Sequence, residues 1–563
     1  MKKILSIAMA AMMALSLAAC GSSSSSGSGA AAPETTKAEL NIGAATGNKA
    51  VTDNGVVETT TAAEKVIDET KKKELVIGTD VEPDAQVPFD PDLGFSNNEN
   101  IMTCNIYEGA YALTHDGGVT PLLATGYEVN DDRTVWTIHL RDDVYFSNGD
   151  HLTAEDAAWS YNEFANHKST KSMWGGSGAF VGAEALDDYT VQVTLNTPYI
   201  PLLISGFASR AGLILDKKYY DEVGLEAYKE NPVGSGPYML TEVKIKEKQV
   251  YEKNPNYWDK NVNVFYEKMT LRFLTDQNTQ MLALENGEID VLYNAKLPPL
   301  LKLPKDSGIS FTMSEAAGPM VLYFNETGDV PTKDANIRKA IASCVDREAL
   351  STVIYDGYAT PAYYHGCSFF TDAPKDEDIT VKPVEYDLEA AKKYLEAAGY
   401  NGENIVLIVA SGSMMEQAAQ VIQGELMKVG INCELKSLDN ASVQAAMKLP
   451  DGYSMWIHRA NSSAIDFSWE RNFLSQRYKA KTSPDSFNQW IYNEEFEDLL
   501  DATDFQFDHD ERSKTFAKMQ DILNEEVRCI PLINTYNITA YHDYVQGVEG
   551  CPIEYLIQWK EWY

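Results

Sequence analysis

Histidine, cysteine, serine and acidic residues, which most often carry catalysis or hold metal ions, lack in this chain the spacing that either task requires. The eight histidines are scattered, and no two of them stand four residues apart. The motifs H-E-x-x-H, G-x-S-x-G and S-x-x-K are absent from the sequence, so neither a metalloprotease nor a serine-nucleophile enzyme is indicated. We therefore predict that the protein is not an enzyme.

Two short stretches bear a superficial likeness to ligand loops. Residues 43–49 have the wrong glycine spacing for a phosphate-binding loop. Residues 372–378 begin like a calcium loop but lack its central glycine and its closing glutamate. We predict a solvated acidic loop there, and neither a metal site nor a cofactor.

Cysteine spacing gives no framework of cross-links or metal ligands. Beyond Cys20 the chain has Cys104, Cys344, Cys367, Cys433, Cys529 and Cys551. They form no C-x-x-C pair and no metal spacing with histidine. A chain of this size builds a core large enough to fold without disulfides, so we predict buried thiols.

The formal net charge of −36 limits the partners of the protein. Nucleic acid requires a basic surface, and anionic lipid headgroups attract basic segments. Both are therefore excluded as binding partners. A strong negative charge instead keeps a protein soluble and separate from its neighbours.

The first twenty residues have the order of an export signal. Lysines at positions 2 and 3 precede an apolar run over residues 4–19, which is shorter than the roughly 20 residues that span a bilayer. Leu-Ala-Ala at 17–19 followed by Cys20 resembles the bacterial lipoprotein signal. The resemblance implies cleavage of residues 1–19 and lipid attachment at Cys20; an ordinary secretion signal that happens to contain a cysteine is the alternative.

Residues 20–73 are predicted to be a flexible tether. They open with Gly-Ser-Ser-Ser-Ser-Ser-Gly and contain no aromatic residue. Such a segment cannot bury enough apolar surface to offset the entropy of ordering. A short solvated helix over residues 62–73 is compatible with this composition.

The remaining sequence alternates strand and helix patterns, which indicates an α/β fold. Residues 134–141 alternate apolar and polar side chains like a half-buried strand, and Thr153 with Asp156 resembles a capping box that begins a helix. Asp387 and Gly399 bracket a second helix, and Asp334 begins a third. Apolar residues 405–410, a helix over 414–429 and a strand from Ile431 form a predicted βαβ unit.

Several motifs then occur in an order that resembles one known family, the large extracellular solute-binding proteins of the peptide/nickel type (family 5). The motifs lie at residues 121–125, 134–156, 231–238, 254–258, 284–290, 323–325, 337–341, 346–347, 386–387, 398–399 and 530–532. Each motif alone is weak, but the ordered set is specific. Within it, Arg141, Gly149, Asp156 and Trp258 are predicted to hold the fold rather than to touch a ligand.

The resemblance implies a large, periplasmic-binding-protein-like clamp of the cluster C type, with two α/β lobes, a hinge and an extra inserted domain. We expect lobe I at 74–110, 237–320 and 530–563, the inserted domain II at 111–236, and lobe III at 321–529. The proposed hinge, where the chain returns to lobe I, consists of Gly234, Ser235, Gly236 and Pro237. We attribute it to glycine φ freedom; a purely structural tight loop is the alternative.

The family resemblance also implies a ligand site in lobe III. In peptide-binding members an aspartate after an aromatic-led strand receives the peptide ammonium. Here that position falls on Ser462 or Ser463, and the nearest acid is Asp466, displaced by an apparent insertion of two residues. Trp456, His458 and Arg459 are further candidates, because arginine suits a carboxylate and tryptophan suits a ring; a core tryptophan, a turn histidine and a surface arginine are the structural alternatives.

Taken together, the resemblance predicts a monomeric receptor that captures a di- or oligopeptide and delivers it to the permease and ATPase subunits of an ABC importer. A lipid would anchor it to the outer face of the cell membrane, or to the periplasmic side where an outer membrane exists. An oligosaccharide or a metal chelate is the alternative solute. An exported hydrolase lacks its motif, and an adhesin lacks the expected repeats.

We predict that Cys20→Ser abolishes membrane attachment, because a serine cannot form the thioether to lipid. In cells that process lipoproteins, detergent partitioning should move the wild type to the detergent phase and leave the variant in the aqueous phase or unprocessed. Ser28→Ala, a change within the same predicted tether, should partition as the wild type does. Equal membrane association of all three proteins would contradict lipidation at Cys20.

Overall fold

The structure, a computed structural model, describes residues 49–52, 55–58, 72–80, 103–114, 119–167, 170–175, 179–366, 372–460, 474–477, 492–506, 508–550 and 557–563. In these segments the strands form sheets of twelve, four and two strands. In chain order they are β1 (Lys49–Thr52), β2 (Gly55–Glu58), β3 (Glu74–Thr79), β4 (Tyr111–Leu113), β5 (Val119–Pro121), β6 (Ala124–Val129), β7 (Val135–Leu140), β8 (Phe180–Asp187), β9 (Thr190–Leu195), β10 (Tyr238–Lys244), β11 (Lys248–Lys253), β12 (Lys268–Phe273), β13 (Val291–Tyr293), β14 (Ile309–Phe324), β15 (Ile405–Ala410), β16 (Cys433–Leu438), β17 (Met455–Arg459) and β18 (Cys529–His542).

The α-helices of the same segments alternate with these strands. They are α1 (Ala154–Asn166), α2 (Lys217–Glu230), α3 (Gln277–Glu285), α4 (Leu297–Leu300), α5 (Ala335–Ala342), α6 (Arg347–Tyr355), α7 (Leu388–Ala398), α8 (Met414–Lys428), α9 (Asn440–Met447), α10 (Glu494–Thr503) and α11 (His509–Glu526). Short 3₁₀ or π-helical turns occupy Lys171–Trp174, Leu202–Phe207, Arg210–Gly212, Pro331–Lys333 and Trp559–Glu561.

The two longest strands, β14 and β18, lie side by side in the middle of the twelve-stranded sheet. The order is β10-β11-β12-β3-β13-β18-β14-β17-β15-β16, with the β1–β2 hairpin added at β14. One end of β18 pairs with β13, and the opposite end of the β14–β18 ladder pairs with β17. We call this antiparallel ladder the crossing pair, because it joins a first half of the sheet (β3, β10–β13) to a second half (β15–β17).

The ladder of the crossing pair is interrupted near its centre. Its register shifts between Glu315 and Pro319 and again after Met320. The hydroxyl of Thr535 donates to the carbonyl of Gly318 at 2.7 Å, which satisfies one of the carbonyls in the interruption. Such irregularities bend a strand pair and increase its twist. The interruption therefore lies where the chain leaves one half of the sheet for the other.

Alternate residues of β14 enter two separate hydrophobic cores. Val321 and Tyr323 belong to one cluster, whereas Leu322 and Phe324 belong to the other. Because successive strand residues point to opposite faces, the sheet is covered on both sides. This layering is the architecture expected of an α/β protein.

Local sequence signals predicted many of the elements. Val135–Leu140 forms a strand with Trp136, Ile138 and Leu140 buried, and residues 405–438 form the predicted βαβ unit with parallel β15 and β16. The carboxylate of Asp156 accepts the backbone N–H of Thr153 at 2.9 Å, as in a capping box. The alternation and capping predictions for these segments are confirmed.

The helix boundaries in the second half of the chain follow their caps. Asp387 accepts two backbone N–H groups at the start of α7, and Gly399 ends that helix with φ 66°. Asp334 begins α5 as predicted, but the helix stops at Ala342. Asp346 then caps α6. The helix that we predicted from Asp334 through Val345 is therefore shorter than expected, and α6 follows it as a separate helix.

Part of the predicted tether contains regular structure. β1 and β2 form an antiparallel hairpin, and β1 pairs with β14 through Lys49 opposite Met313. Eight positions of the predicted flexible tether over residues 20–73 therefore lie in strands. Edge pairing of this kind satisfies backbone groups that the sheet edge leaves open.

Two cysteines of the core behave as predicted. Cys344 and Cys433 are buried thiols. Burial, with a weaker effect of nearby glutamates, raises the pKa of Cys344 to about 12 and that of Cys433 to about 11. A thiol that stays protonated at neutral pH is a poor nucleophile and a poor metal ligand.

A buried carboxylate, that of Glu108, joins four separate segments of the chain. The indole N–H of Trp258 and the hydroxyl of Tyr257 donate to it at 2.7 and 3.1 Å. The hydroxyl of Ser235 donates at 3.3 Å, and the ammonium of Lys560 lies 3.6 Å away. Burial raises the pKa of Glu108, while Lys560 and the hydrogen bonds oppose that rise. We call this group the Glu108 junction.

The contacts and backbone conformations of the four residues that we predicted to hold the fold, Arg141, Gly149, Asp156 and Trp258, fit a structural role. The guanidinium of Arg141 lies 4.5 Å from the ring centre of Trp258, which is itself part of the Glu108 junction. Gly149 has φ 94°, a conformation that glycine adopts without strain. Asp156 also accepts the backbone N–H of Lys217 at 3.1 Å, which ties α1 to the start of α2.

The glycines of the 234–237 segment are required for close packing rather than for φ freedom. Neither Gly234 nor Gly236 is among the glycines with positive φ. A Cβ atom on Gly234 would lie 2.1 Å from the carbonyl oxygen of Ile106, and one on Gly236 would lie 2.6 Å from it. The physical reason that we expected for these glycines is therefore wrong.

We predict that Glu108→Ala destabilises the fold by about 3–5 kcal/mol, because it deprives two buried aromatic donors of their acceptor and the partly buried ammonium of Lys560 of its counter-charge. Glu108→Gln keeps one acceptor and should cost about 1–2 kcal/mol. Urea unfolding measured by circular dichroism gives both values. Glu252→Gln, at an exposed position of β11, serves as the control, and equal midpoints for Glu108→Ala and this control would contradict the role of the junction.

Candidate functional site

The carboxyl ends of parallel strands from both halves of the sheet approach the crossing pair. β3 runs parallel to β12 and β13 in the first half, and β15 runs parallel to β16 and β17 in the second. Tyr293, at the end of β13, lies opposite Thr539, and Arg459, at the end of β17, lies opposite Met320. Ligands of open α/β sheets bind outside such carboxyl ends. The region between the two sets of ends is therefore the candidate site.

The first half contributes a polar cluster at its carboxyl edge. Asp80 directly follows β3, and the side-chain amide of Asn294 donates to it at 3.3 Å. The ammonium of Lys296 lies 3.6 Å from the same carboxylate. Asn294 has φ 55°, a left-handed conformation that asparagine tolerates better than most residues. Sequence reasoning missed this cluster, although an acidic residue directly after the predicted strand β3 could have indicated it.

The second half contributes an aromatic surface on β17. The rings of Trp456 and His458 are stacked with their centres 4.8 Å apart and their planes at 13°. Tyr323, opposite Trp456 in the ladder, has its ring centre 5.4 Å from the tryptophan. The hydroxyl of Tyr323 lies 2.8 Å from Nε2 of His365. The structure thus brings two of the predicted residues together and adds two that sequence reasoning had not assigned to the site.

Arg459 lies on the opposite face of β17 from this aromatic surface. Strand residues alternate between faces, so its side chain follows Met455 and Ile457 rather than Trp456. It stands at the carboxyl end of the strand, opposite Met320. A ligand that contacts both Arg459 and Trp456 therefore has to reach around the end of β17.

The imidazole of His458 is neutral at physiological pH. Burial, and to a smaller extent the charge of Arg459, lowers its pKa from 6.5 to about 4. A neutral imidazole stacked on an indole presents a flat surface with one hydrogen-bond donor and one acceptor. Such a surface suits a planar or polar uncharged part of a ligand.

The structure describes only some of the other predicted site residues. Cys20, Ser462, Ser463 and Asp466 lie outside the described residues. The 234–237 segment connects α2 to β10 and so passes from the region of the four-stranded sheet to the twelve-stranded sheet. It is anchored there by the backbone N–H of Gly236, which donates to Ile106 at 2.8 Å. Its role as a hinge stays a prediction.

These features define the class of protein. Two halves of a sheet, each with the carboxyl ends of its parallel strands toward a narrow crossing, form the predicted two-lobed α/β clamp with an additional smaller sheet. The sequence model of the family described as "Bacterial extracellular solute-binding proteins, family 5 Middle" matches residues 118–482. The chain belongs to this family.

Known proteins of similar sequence and structure agree with this assignment. The chain is 26% identical to the dipeptide-binding protein DppE of Bacillus subtilis, over 87% of this chain and 92% of the relative. It is 26% identical to the nickel-binding periplasmic protein of Escherichia coli, over 67% and 74%. The periplasmic binding protein DppA of Helicobacter pylori, solved with the peptide STSA, superposes with a TM-score of 0.73 at 25% identity, covering 87% of this chain and 98% of that one.

We predict that His458 makes the wild type sensitive to mild acid. Its pKa is lower in the folded than in the unfolded chain, so the unfolded chain binds the proton first and stability falls as the pH drops from 6.5 toward 4. His458→Phe keeps a ring on Trp456 but cannot titrate. Melting temperatures by calorimetry at pH 7, 5.5 and 4.5 should fall less for the variant, and parallel curves would contradict the shifted pKa.

Proposed function

We propose that this protein is the extracellular receptor of an ATP-driven importer and that it captures a peptide by closure of its two lobes. The observation that carries the proposal is the placement of two sets of strand ends around one crossing pair in a chain of this family. Among the relatives, one is named for dipeptide binding and one was solved with a peptide bound. The receptor binds and releases its solute unchanged, so it is not an enzyme.

Closure follows from the energetics of a two-state clamp. A ligand that touches both lobes binds the closed state more tightly and shifts the population toward it. The interruption of the crossing pair between Glu315 and Pro319 supports bending at that level. The segment from Gly234 to Pro237 is proposed as a second flexible connection, for the return of the chain from domain II to lobe I.

The ligand contacts that we propose come from β17 and from the residues that follow it. Asp466 receives the amino terminus of the peptide, Ser462 and Ser463 donate or accept hydrogen bonds, and the stacked rings of Trp456 and His458 contact its side chains. A free amine requires the acid because a buried ammonium without a carboxylate is costly. Because one relative is named for nickel binding, a metal chelate is the second candidate solute. The contact of His365 with the hydroxyl of Tyr323 in the candidate site is compatible with it.

We also propose where the receptor acts. Lipid on Cys20 would hold it at the outer face of the membrane, next to the permease and ATPase subunits to which it delivers the solute. No helix in the described parts of the chain is long and apolar enough to cross a membrane. Residues between Cys20 and β1 would then let the clamp stand away from the lipid surface.

The test is capture of peptides by the native protein. Native mass spectrometry after incubation with mixed di- to pentapeptides should show a retained peptide, which should raise the melting temperature and reduce the radius of gyration in solution scattering. For that peptide, Asp466→Ala should weaken binding roughly 30-fold or more, since a buried charged contact is worth on the order of 2–5 kcal/mol. Acetylation of the amine should cost the wild type a similar factor and the variant little.

Asp451→Ala, which removes an exposed carboxylate shortly before β17, should bind as the wild type does. Equal binding of free and acetylated peptides would reject Asp466 as the amine site. Retention of a sugar or a metal chelate instead of any peptide would reject the peptide but keep the receptor. Turnover of the peptides would overturn the receptor proposal itself.

A further inference from the structure

A partly buried carboxylate stands on the crossing pair where the ladder is interrupted. Glu315 is the last residue of β14 that pairs with β18 before the register shift, and it lies opposite Tyr536. Its Oε1 atom is shielded from solvent and, in the segments that the structure describes, accepts no hydrogen bond. A shielded carboxylate oxygen without a donor costs free energy. Such a group calls for a physical explanation.

The residue opposite Glu315 in the ladder belongs to a small aromatic cluster. Opposed residues of an antiparallel ladder point to the same face, so Glu315 and Tyr536 share one. The ring of Tyr536 packs edge-on against that of Tyr355 at 5.5 Å, and its hydroxyl lies 3.3 Å from that of Thr360. The hydroxyl of Tyr355 in turn contacts the sulfur of Met414 at 3.6 Å. We call these five residues the Glu315 site.

The position of the Glu315 site connects it with solute capture. Met414 is the first residue of α8, directly after the carboxyl end of β15 at Ala410. The site therefore combines the crossing pair with the carboxyl edge of the second half of the sheet. This is the region in which a solute held between the lobes would lie.

The chemistry of the site favours a positive charge. Burial raises the pKa of Glu315, so the carboxylate form is disfavoured by removal from water. Burial and, more weakly, the Glu315 charge also raise the pKa of Tyr536. A carboxylate flanked by tyrosine rings recognises organic cations through charge and through the ring faces.

We propose that Glu315, Tyr355 and Tyr536 form a subsite for a cationic group of the captured solute, either an alkylammonium or a guanidinium. This inference rests on the proposed function, because capture between the lobes is what brings the cation to the crossing pair. It narrows the solute to one that carries a positive side group in addition to the amine assigned to Asp466. The unsatisfied carboxylate is then a binding determinant that the solute completes.

Two matched peptides and two small cations test the subsite. The peptides are Ala-Lys-Ala and the same peptide with an acetylated lysine side chain; the small cations are L-arginine and spermidine. Thermal melting and native mass spectrometry should show that the wild type binds the free lysine peptide at least about 10-fold more tightly than the acetylated one. Glu315→Gln should bind both peptides equally. Glu252→Gln, an exposed glutamate of β11, should keep the wild-type preference.

The outcomes separate the subsite from the proposed function. If peptides bind but Glu315→Gln keeps the preference for free lysine, the subsite is rejected and the receptor remains. If no peptide binds, yet arginine or spermidine raises the melting temperature of the wild type and not of Glu315→Gln, the subsite stands and the peptide is rejected. If no probe distinguishes the wild type from Glu315→Gln, the subsite is rejected.

A second variant, Glu315→Asp, distinguishes a loss of binding from a folding defect. Glu315→Asp keeps the negative charge and should retain a reduced preference for the cationic peptide. Without any probe, Glu315→Gln should melt at or above the wild-type temperature, because it removes an uncompensated charge. A lower melting temperature for Glu315→Gln than for Glu315→Asp would show that the carboxylate has a structural partner and would overturn the inference.

Discussion

Burial of one negative charge organises the part of this protein where its chain segments meet. Removing a carboxylate from water costs several kcal/mol unless donors replace the water, and Glu108 obtains its donors from residues 235, 257, 258 and 560. None of these segments is adjacent to another in the sequence except 257 and 258. The requirement that all of them converge therefore fixes the end of the 234–237 segment, the loop before β12 and the last residues of the chain relative to one another.

The same convergence gives two family motifs, at residues 134–156 and 254–258, a structural role. Tyr257 and Trp258 point their polar atoms at Glu108, and the ring of Trp258 carries the guanidinium of Arg141 on its face. The hydroxyl of Tyr257 also accepts a hydrogen bond from the ammonium of Lys560 at 3.1 Å, so the polar atoms of the junction are linked to one another. The crossing pair, by contrast, is interrupted near its centre, and irregularities of this kind bend a strand pair.

The sequence predicted what depends on neighbours along the chain. Strand alternation at Val135–Leu140, the capping residues Thr153, Asp334 and Asp387, and the βαβ unit all follow from local rules, and the family resemblance supplied the clamp. The pairing of β14 with β18 joins residues about two hundred positions apart, and no local pattern encodes such a register. The hairpin on β14 was missed for the same reason, because its partner strand is distant.

Prediction of the site succeeded only in part, again for physical reasons. Trp456 and His458 were found because they lie on a recognisable strand, and their stacking follows from their spacing of two. Asp80, Tyr323, His365 and Glu315 were not assigned, since each becomes significant only through a partner on another strand or loop. The close contact of Gly234 with Ile106 was misread because a glycine in a sequence does not reveal whether it serves conformation or space.

The placement of β18 has a consequence for the order of folding. The first half of the sheet contains β3 at residues 74–79, but its neighbour β13 is completed only by β18 at residues 529–542. Trp559 then donates its backbone N–H to Asn105 at 3.0 Å. Contacts of such sequence separation form slowly, and here they wait until the last residues have been synthesised. The first half of the sheet therefore cannot be completed before β18 is available to pair with β13.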